Sequence, residues 1–184
     1  MSIVIAVEKN GEICIGCDSK HSDGSLLQAP EHKENKFKLH RVQDSIVGLV
    51  GEGQFHNVID SIINKYEEIF DLQDRFSVYE TVLRLFKIMK EEYYLNAASE
   101  GSFEELGVYM LLATPRGIFH VENDKSVNVM RKFWAVGSGT PFALAASDAL
   151  YESDLSAEEI VRKAIEITTK FDLHSNLPMK VEIL

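Results

Sequence analysis

The sequence has little cysteine and no long apolar run. Only two of its 184 residues are cysteines. No apolar stretch approaches the roughly 20 residues that a membrane-spanning helix needs. Residues 1–3 also lack the basic start of a secretory signal peptide. Together these features predict a cytoplasmic protein that does not bind a membrane.

Positive charge is also scarce. The chain has 19 Lys and Arg residues against 29 Asp and Glu residues, so its formal net charge is −10 at pH 7. Binding to a nucleic-acid backbone requires clustered Lys and Arg, so we expect no nucleic-acid partner. The six histidines do not have the spacing of metal ligands. We expect them to have surface or packing roles, with no metal site and no cofactor.

The two cysteines, Cys14 and Cys17, form a C-x-x-C pair, a spacing that also occurs in zinc and redox sites. A zinc site needs further ligands, and a redox motif normally opens a helix. Here the surrounding residues 12–18 have the apolar character of a strand. Because side chains three residues apart on a strand point to opposite faces, we expect the two thiols on opposite faces of a sheet.

Strand and helix patterns follow one another in blocks along a chain of single-domain length, residues 1–184, that is 45% hydrophobic and 26% charged. Residues 19–35 are polar and are interpreted as a loop or a weak excursion of the chain. Periodic apolar residues predict two consecutive helices between about residues 58 and 93, and two more at about 141–151 and 156–171. Apolar runs predict strands at residues 3–7, 13–17, 37–42, 45–50, 107–113, 118–122, 133–136 and 179–183.

This order predicts an α+β fold. The elements occur in the order strands, two helices, strands, two helices and a final strand. Two stacked sheets with a helix pair outside each would bury the apolar faces of all these elements. The first two strands are apolar on both faces, so their sheet is expected to be covered on both sides. The expected architecture is therefore a four-layer αββα sandwich of two antiparallel sheets.

The first 18 residues resemble the N-terminal-nucleophile hydrolases. After Met1 they run from Ser2 through an apolar strand, an Asn-Gly turn and a second strand that ends in Gly-Cys-Asp, with Asp18 last. The β-type subunits of proteasomes and of the bacterial two-component ATP-dependent heat-shock protease begin with a nucleophilic Thr and show the same strand, turn and Gly-x-Asp pattern. The resemblance implies that Ser2 is the nucleophile.

Three later segments are similar to the same family. Asn-Lys-Phe-Lys-Leu resembles the segment that carries the family's catalytic lysine, and Lys36 stands at the matching position. A Gly-Ser-Gly turn resembles the one that carries a supporting serine, here Ser138. The last predicted helix is followed by Asp172, matching a second carboxylate, and by Ser175. The likeness covers nearly the whole chain and implies the αββα fold of this superfamily.

The chemistry of such a site depends on the chain's own α-amine. A serine hydroxyl needs a base, and an N-terminal residue supplies one in its amine, whose unperturbed pKa is about 8. The amine of Ser2 is free only after Met1 is removed. By resemblance, Lys36 lowers the pKa values of the hydroxyl and the amine, and Asp18 keeps this lysine charged and oriented.

Further residues are expected to complete this site. The resemblance assigns Ser138, Asp172 and Ser175 to holding the amine in position. The backbone N–H groups of Gly51 and Gly53 are both candidates for the oxyanion hole, and the sequence does not choose between them.

The leading hypothesis is a proteasome-like peptidase that uses Ser2 after removal of Met1. The resemblance further implies a ring-like homo-oligomer, peptide substrates and an ATP-dependent unfoldase as a partner to consider. Two alternatives stay open. A chain that retains Met1 would be a non-catalytic structural subunit, and an amidase acting on a small molecule would use the same nucleophile.

Overall fold

The structure, a computed structural model, describes residues 2–23, 25–95 and 107–184. Within these residues the strands are β1 Val4–Lys9, β2 Glu12–Cys17, β3 His21–Asp23, β4 Leu26–Gln28, β5 Leu39–Val42, β6 Ser45–Gly51, β7 Val108–Thr114, β8 Gly117–Val121, β9 Val127–Met130, β10 Phe133–Val136 and β11 Lys180–Ile183. The α-helices are α1 Gln54–Tyr66, α2 Arg75–Glu92, α3 Thr140–Tyr151 and α4 Ala157–Phe171.

The strands form two main antiparallel sheets. One has four strands in the order β10-β1-β2-β11, so the N-terminal strand lies in its centre. The other has five strands in the order β5-β6-β7-β8-β9. A separate two-stranded ribbon pairs β3 with β4.

The hairpin between β1 and β2 has the turn that the sequence predicts. Asn10 and Gly11 both have positive φ, at 54° and 82°, as the two central residues of a type I′ turn require. This two-residue turn sets the register in which Lys9 pairs with Glu12 and Val4 with Cys17. It therefore brings the residue after β2, Asp18, beside the start of β1.

Side chains of residues 3–7, at and just before the start of β1, alternate between two apolar layers. Ile3, Ile5 and Val7 pack with residues of α3 and α4, whereas Val4 and Ala6 pack with residues of the five-stranded sheet. Neither face of the four-stranded sheet is left to solvent, which explains why the first strands are apolar on both faces.

A third apolar layer covers the other face of the five-stranded sheet. Residues of β6 and β7 such as Leu49 and Leu112 pack there against Ile62 of α1 and Val82 and Leu85 of α2. The succession is therefore α3 and α4, four-stranded sheet, five-stranded sheet, then α1 and α2. The predicted four-layer α+β sandwich is confirmed.

The structure differs from the predicted elements in the short strands. β3 and β4 lie within residues 19–35, where no strand was predicted, and β9 was not predicted either. β5 begins at Leu39, two residues later than predicted. These strands have only three or four residues, too few for the alternation on which strand prediction depends to stand out.

The two cysteines have the predicted placement. Cys14 packs in the layer next to α4 and Cys17 in the layer between the sheets, and both are free thiols. Burial is the main cause that raises the pKa of Cys14 to about 12 and that of Cys17 to about 11. Both thiols are therefore protonated and unreactive at neutral pH. In the described ranges, no helix combines the length and apolarity required to span a membrane.

The central layer gives a stability prediction. Ile15 is fully buried between the sheets, so Ile15→Ala removes buried methylene groups and leaves a cavity, at a cost of about 2–5 kcal/mol in the free energy of unfolding. Ile183→Ala is the matched control, because Ile183 is 43% exposed on the edge strand β11. Guanidinium titration at one fixed protein concentration measures both variants, and equal losses would contradict the assigned central layer.

Candidate active site

The carboxylate of Asp18 is the centre of a buried hydrogen-bond network. Its Oδ1 accepts from the Ser2 hydroxyl, from the Ile3 backbone N–H at 3.2 Å and from Lys38 Nζ at 2.9 Å. Its Oδ2 accepts from the backbone N–H groups of Lys20 at 2.9 Å and Asn176 at 3.2 Å. Asp18 has no exposed surface, so these donors replace the hydration that its charge loses on burial.

Lys38 is the buried cation that neutralises this carboxylate. Its Nζ donates to the carboxylate of Asp18 and also, at 3.0 Å, to the backbone carbonyl of the same residue. The Ser2 hydroxyl and the Lys38 ammonium therefore share one carboxylate oxygen. This arrangement places a positive charge next to the candidate nucleophile, as hydroxyl activation requires.

The placement of the lysine at Lys36 is corrected by the structure. Lys36 Nζ donates to the backbone carbonyl of Pro30 at 3.1 Å, in the loop before β5. Lys38 instead directly precedes β5, and its carbonyl accepts from Leu49 of β6 at 3.0 Å. The sheet ladder thus holds the backbone of Lys38, and its buried side chain reaches Asp18.

The family resemblance did not distinguish Lys38 from Lys36 as the lysine at the head of the strand. The two lysines stand two residues apart in Asn-Lys-Phe-Lys-Leu, so both satisfy a pattern of a lysine at the head of a strand. Which of them lies next to the strand depends on where the ladder begins. In the structure β5 begins at Leu39, so Lys38 is the lysine directly before the strand.

A second polar group lies at the carbonyl of Ser2. Ser138 Oγ is 3.4 Å from this carbonyl oxygen and 3.0 Å from Asp172 Oδ2, and Ser175 Oγ donates to the same carboxylate oxygen at 2.6 Å. The backbone N–H of Gly139 donates to the Ser2 carbonyl at 3.3 Å. Apart from the lysine, the side chains assigned by resemblance therefore lie around Ser2, and their catalytic roles stay predictions.

Asp172 keeps its charge in this group. Burial acts to raise the pKa of its carboxyl, but hydrogen bonds from the Ser175 hydroxyl, the His174 backbone N–H and the Ser138 hydroxyl outweigh it, so the pKa is lowered. The residue follows α4 directly, where the helix dipole disfavours a negative charge. Its donors offset that cost and hold the carboxylate against Ser138.

Gly137 allows the N-terminal strand to approach this closely. It has a φ of 113°, and a Cβ at this position would lie 2.1 Å from the carbonyl oxygen of Ser2. Only a residue without a side chain fits both constraints. The Gly-Ser-Gly turn therefore serves two purposes, because it supplies Ser138 and admits the backbone of Ser2.

A pocket of about 470 Å³ opens beside Ser2 and Lys38. Both oxyanion candidates, Gly51 and Gly53, line it. Gly51 is the last residue of β6. Gly53 directly precedes α1, and no side chain caps the start of this helix. The first backbone N–H groups of a helix have no partner within the helix. Both assignments stay predictions.

Histidines of this region were not recognised from the sequence as part of the site. His21 and His56 line the same pocket, and His40 is buried behind them and bonded to His56. Their positions in the sequence carry no spacing signal, because they come from three different elements. Among the described residues, no group of three or more His, Cys, Asp or Glu side chains is arranged to hold a metal ion.

Removal of Met1 is the one requirement of the predicted site that the geometry does not address. Met1 lies outside the described residues.

Comparison with known proteins relates the chain to one family. The proteasome subunit family matches residues 2–183. The chain is 27% identical over 188 residues to the ATP-dependent protease subunit HslV of Petrotoga mobilis, an alignment that covers 98% of this chain and 96% of the relative.

Solved structures have the same fold. The BPH protein of Thiobacillus denitrificans superposes with a TM-score of 0.93 at 31% identity, covering 99% of this chain and 97% of that protein. Its complex with epoxomicin superposes with a TM-score of 0.92 at 30% identity over the same shares. The eukaryotic HslV of Trypanosoma brucei, at 24% identity and a TM-score of 0.73 with 98% of each chain covered, shows the fold only.

The buried ion pair predicts different outcomes for the two lysines. Lys38→Met leaves the Asp18 carboxylate buried without its cation, which costs about 3–5 kcal/mol in the free energy of unfolding. Lys36→Met is the matched control, because the contact it removes is a partly buried bond to a backbone carbonyl. Denaturant unfolding of both variants measures the difference. A larger loss for the Lys36 variant would overturn the assignment of Lys38.

Proposed function

Because this chain belongs to the proteasome subunit family of N-terminal-nucleophile hydrolases, we propose that it is a peptidase whose nucleophile is the Ser2 hydroxyl. Removal of Met1 frees the α-amine of Ser2, which then acts as the base. The family supplies the class of hydrolase. The observation that supports Ser2 is that its hydroxyl and the Lys38 ammonium bind the same oxygen of Asp18.

The first step is attack on a peptide carbonyl. After Met1 is removed, the α-amine of Ser2 accepts the hydroxyl proton as general base, and Oγ adds to the carbonyl carbon. The Lys38 ammonium stabilises the developing alkoxide and disfavours protonation of the nearby amine, which keeps the amine available as a base. Asp18 holds Lys38 in place and offsets its charge.

The second step completes the hydrolysis. The tetrahedral intermediate collapses, the peptide C–N bond breaks, and the ammonium of Ser2 returns its proton to the leaving amine. This leaves an ester between Oγ and the acyl part of the peptide. Water then attacks the ester with the same amine as base, which releases a carboxylate and restores the hydroxyl.

The remaining groups position these reactants. Ser138, Asp172 and Ser175 form a connected set at the carbonyl of Ser2, and Asp172 offers a charged acceptor for the new α-ammonium. The backbone N–H groups at Gly51 and Gly53 line the pocket that would receive the oxyanion.

Reaction with an epoxyketone tests this proposal. A related protein, BPH of Thiobacillus denitrificans, has been solved in complex with epoxomicin. Protein that lacks Met1, verified by intact mass, should add one epoxomicin per chain because its hydroxyl and amine can react together. Ser2→Ala should abolish both the adduct and peptide hydrolysis. Lys38→Ala should lower hydrolysis by about 10²–10⁴-fold, the range typical of a lost activating group, whereas Lys36→Ala should keep it.

Ser2→Thr is the informative conservative change. It keeps the hydroxyl and adds a methyl group that restricts χ1, so adduct formation and hydrolysis should persist. Met1-free protein that neither forms the adduct nor cleaves any peptide of a broad library would refute the peptidase. The chain would then be a structural subunit of the same family.

We also propose that copies of this chain assemble into a larger particle. Its relative from Petrotoga mobilis is named a subunit of an ATP-dependent protease. A support within this chain is a set of exposed apolar side chains at the start of α3 and the end of α4. Phe142 and Phe171 stack there at 5.8 Å, and Leu173, two residues after Phe171, is 83% exposed. Contiguous exposed apolar side chains are typical of protein interfaces.

Light scattering after size-exclusion chromatography tests the assembly. At micromolar concentration we expect a particle of several times 20.8 kDa, because burial of the patch favours association. Phe171→Asp should shift the population towards smaller species. Phe76→Asp is the control, because Phe76 is an equally apolar exposed residue on α2, at the other side of the sandwich. A monomeric wild-type chain would contradict the proposed assembly.

A further inference from the structure

A second cavity, of about 570 Å³, shares Val50, Gly51 and Gly107 with the pocket beside Ser2 but extends to different residues. Its described lining comes from the end of β6, the start of β7, β8, β10 and the turn that leads into α3. Small-molecule sites in proteins are concave, mostly apolar and about 300–1,000 Å³ in volume. The cavity is therefore large enough for a small organic molecule.

Two side chains with polar nitrogens connect this cavity to the apolar layer between the sheets. His120 of β8 lies on the same face of its strand as Ile118, which packs in that layer. Trp134 of β10 packs against the same layer. The two rings both line the cavity, and their centroids are 5.8 Å apart. Polar nitrogens thus border one part of an otherwise apolar interior.

Neither of the two facing ring systems has all its nitrogens paired. Nε2 of His120 and Nε1 of Trp134 are buried and have no hydrogen-bond partner among the described residues. His120 is only 8% exposed, and burial lowers the pKa of its imidazole, so the ring is neutral at neutral pH. Buried polar groups are paired in the large majority of cases, and an unpaired one destabilises the fold. The two nitrogens therefore call for a partner that the described residues do not supply.

The chemistry of these nitrogens defines the partner. Trp134 Nε1–H can only donate, so the partner must accept. Nε2 of a neutral imidazole donates or accepts according to its tautomer. A hydroxyl group meets both cases, because it donates and accepts. One hydroxyl oxygen placed between the two rings can thus bond both nitrogens.

The rest of the described lining favours an uncharged ligand. It contains no Asp, Glu, Lys or Arg side chain, whereas Val136 and Pro141 offer apolar surface. A charge without an ion pair is costly to bury. The ligand is therefore expected to be neutral and mostly apolar.

We propose that this cavity binds a free small molecule of this kind, an alcohol or a phenol that is apolar apart from its hydroxyl group. The hydroxyl bonds Trp134 Nε1 and His120 Nε2, and the apolar part packs against the remaining lining. Both nitrogens are buried, so the rings must turn to present them to the hydroxyl, and the two hydrogen bonds gained favour this movement. The site takes no part in the proposed hydrolysis.

Fluorescence of Trp134 reports binding directly, because it is the only tryptophan in the chain. The probes are benzyl alcohol and toluene, which have nearly the same shape and differ by the hydroxyl group. Benzyl alcohol should cause a saturable change, with a Kd at least about fivefold lower than that of toluene, the factor that one net hydrogen bond between neutral groups supplies. Benzoate, which adds a charge, should bind more weakly than benzyl alcohol.

His120→Leu separates a ligand contact from a structural one. It removes Nε2 and keeps an apolar side chain, so the preference for benzyl alcohol over toluene should fall towards one. The melting temperature should not fall, because the nitrogen that is removed has no partner to lose. His32→Leu, at an exposed position outside the described lining, is the matched control and should keep the preference.

Trp134→Phe tests the second contact. It removes the only indole N–H and keeps an aromatic ring, so the same preference, measured by calorimetry, should fall. A preference that survives both substitutions would refute recognition of the hydroxyl by these two side chains.

Three further results would overturn the inference. The first is the absence of a saturable change with benzyl alcohol at millimolar concentration, since water alone would then occupy the cavity. The second is equal affinity for benzyl alcohol and toluene. The third is a lower melting temperature of the His120→Leu protein, which would show that Nε2 has a partner within the protein. These measurements need neither Met1-free protein nor hydrolysis, so a failure of the peptidase proposal leaves their outcome unchanged.

Discussion

The structure around the candidate site depends on one buried carboxylate. Asp18 accepts hydrogen bonds from Ser2, Ile3 and Lys38 on one oxygen and from two backbone N–H groups on the other. An ionised carboxylate without these donors would be very costly to bury. Its burial thus requires the start of β1, the end of β2, the start of β5 and the segment after α4 to meet at one point.

The sandwich makes that meeting possible. β1 and β2 are joined by a two-residue turn, so the first residue of one lies beside the last residue of the other. β10 pairs with the opposite side of β1 and delivers the turn with Gly137 and Ser138 to the carbonyl of Ser2. The apolar layers on both faces hold these strands rigidly, which provides the preorganisation that an electrostatic site needs.

Charge is distributed unevenly over this framework. The chain has a formal net charge of −10, whereas the described residues that line the pocket beside Ser2 include three lysines and two histidines. Its described lining comes from β3, β4, the segment between β4 and β5, the end of β6 and the start of α1, together with Ser2 and Gly107. Ser2 and Lys38 belong both to this lining and to the network around Asp18, so the pocket and the candidate nucleophile are parts of one site.

Periodicity and turn chemistry in the sequence were sufficient to predict the layers, the hairpin at Asn10 and Gly11 and the helix pairs, because these features depend on neighbours in the chain. Family resemblance located Ser2, Asp18, Ser138 and Asp172, because each lies within two residues of the end of a strand or helix, where the family pattern can be matched along the chain. The choice between Lys36 and Lys38 was decided only by the tertiary structure. It depends on where the ladder to β6 begins, which is a contact between distant segments. The contact between His40 and His56 likewise exists only because β5 packs on α1.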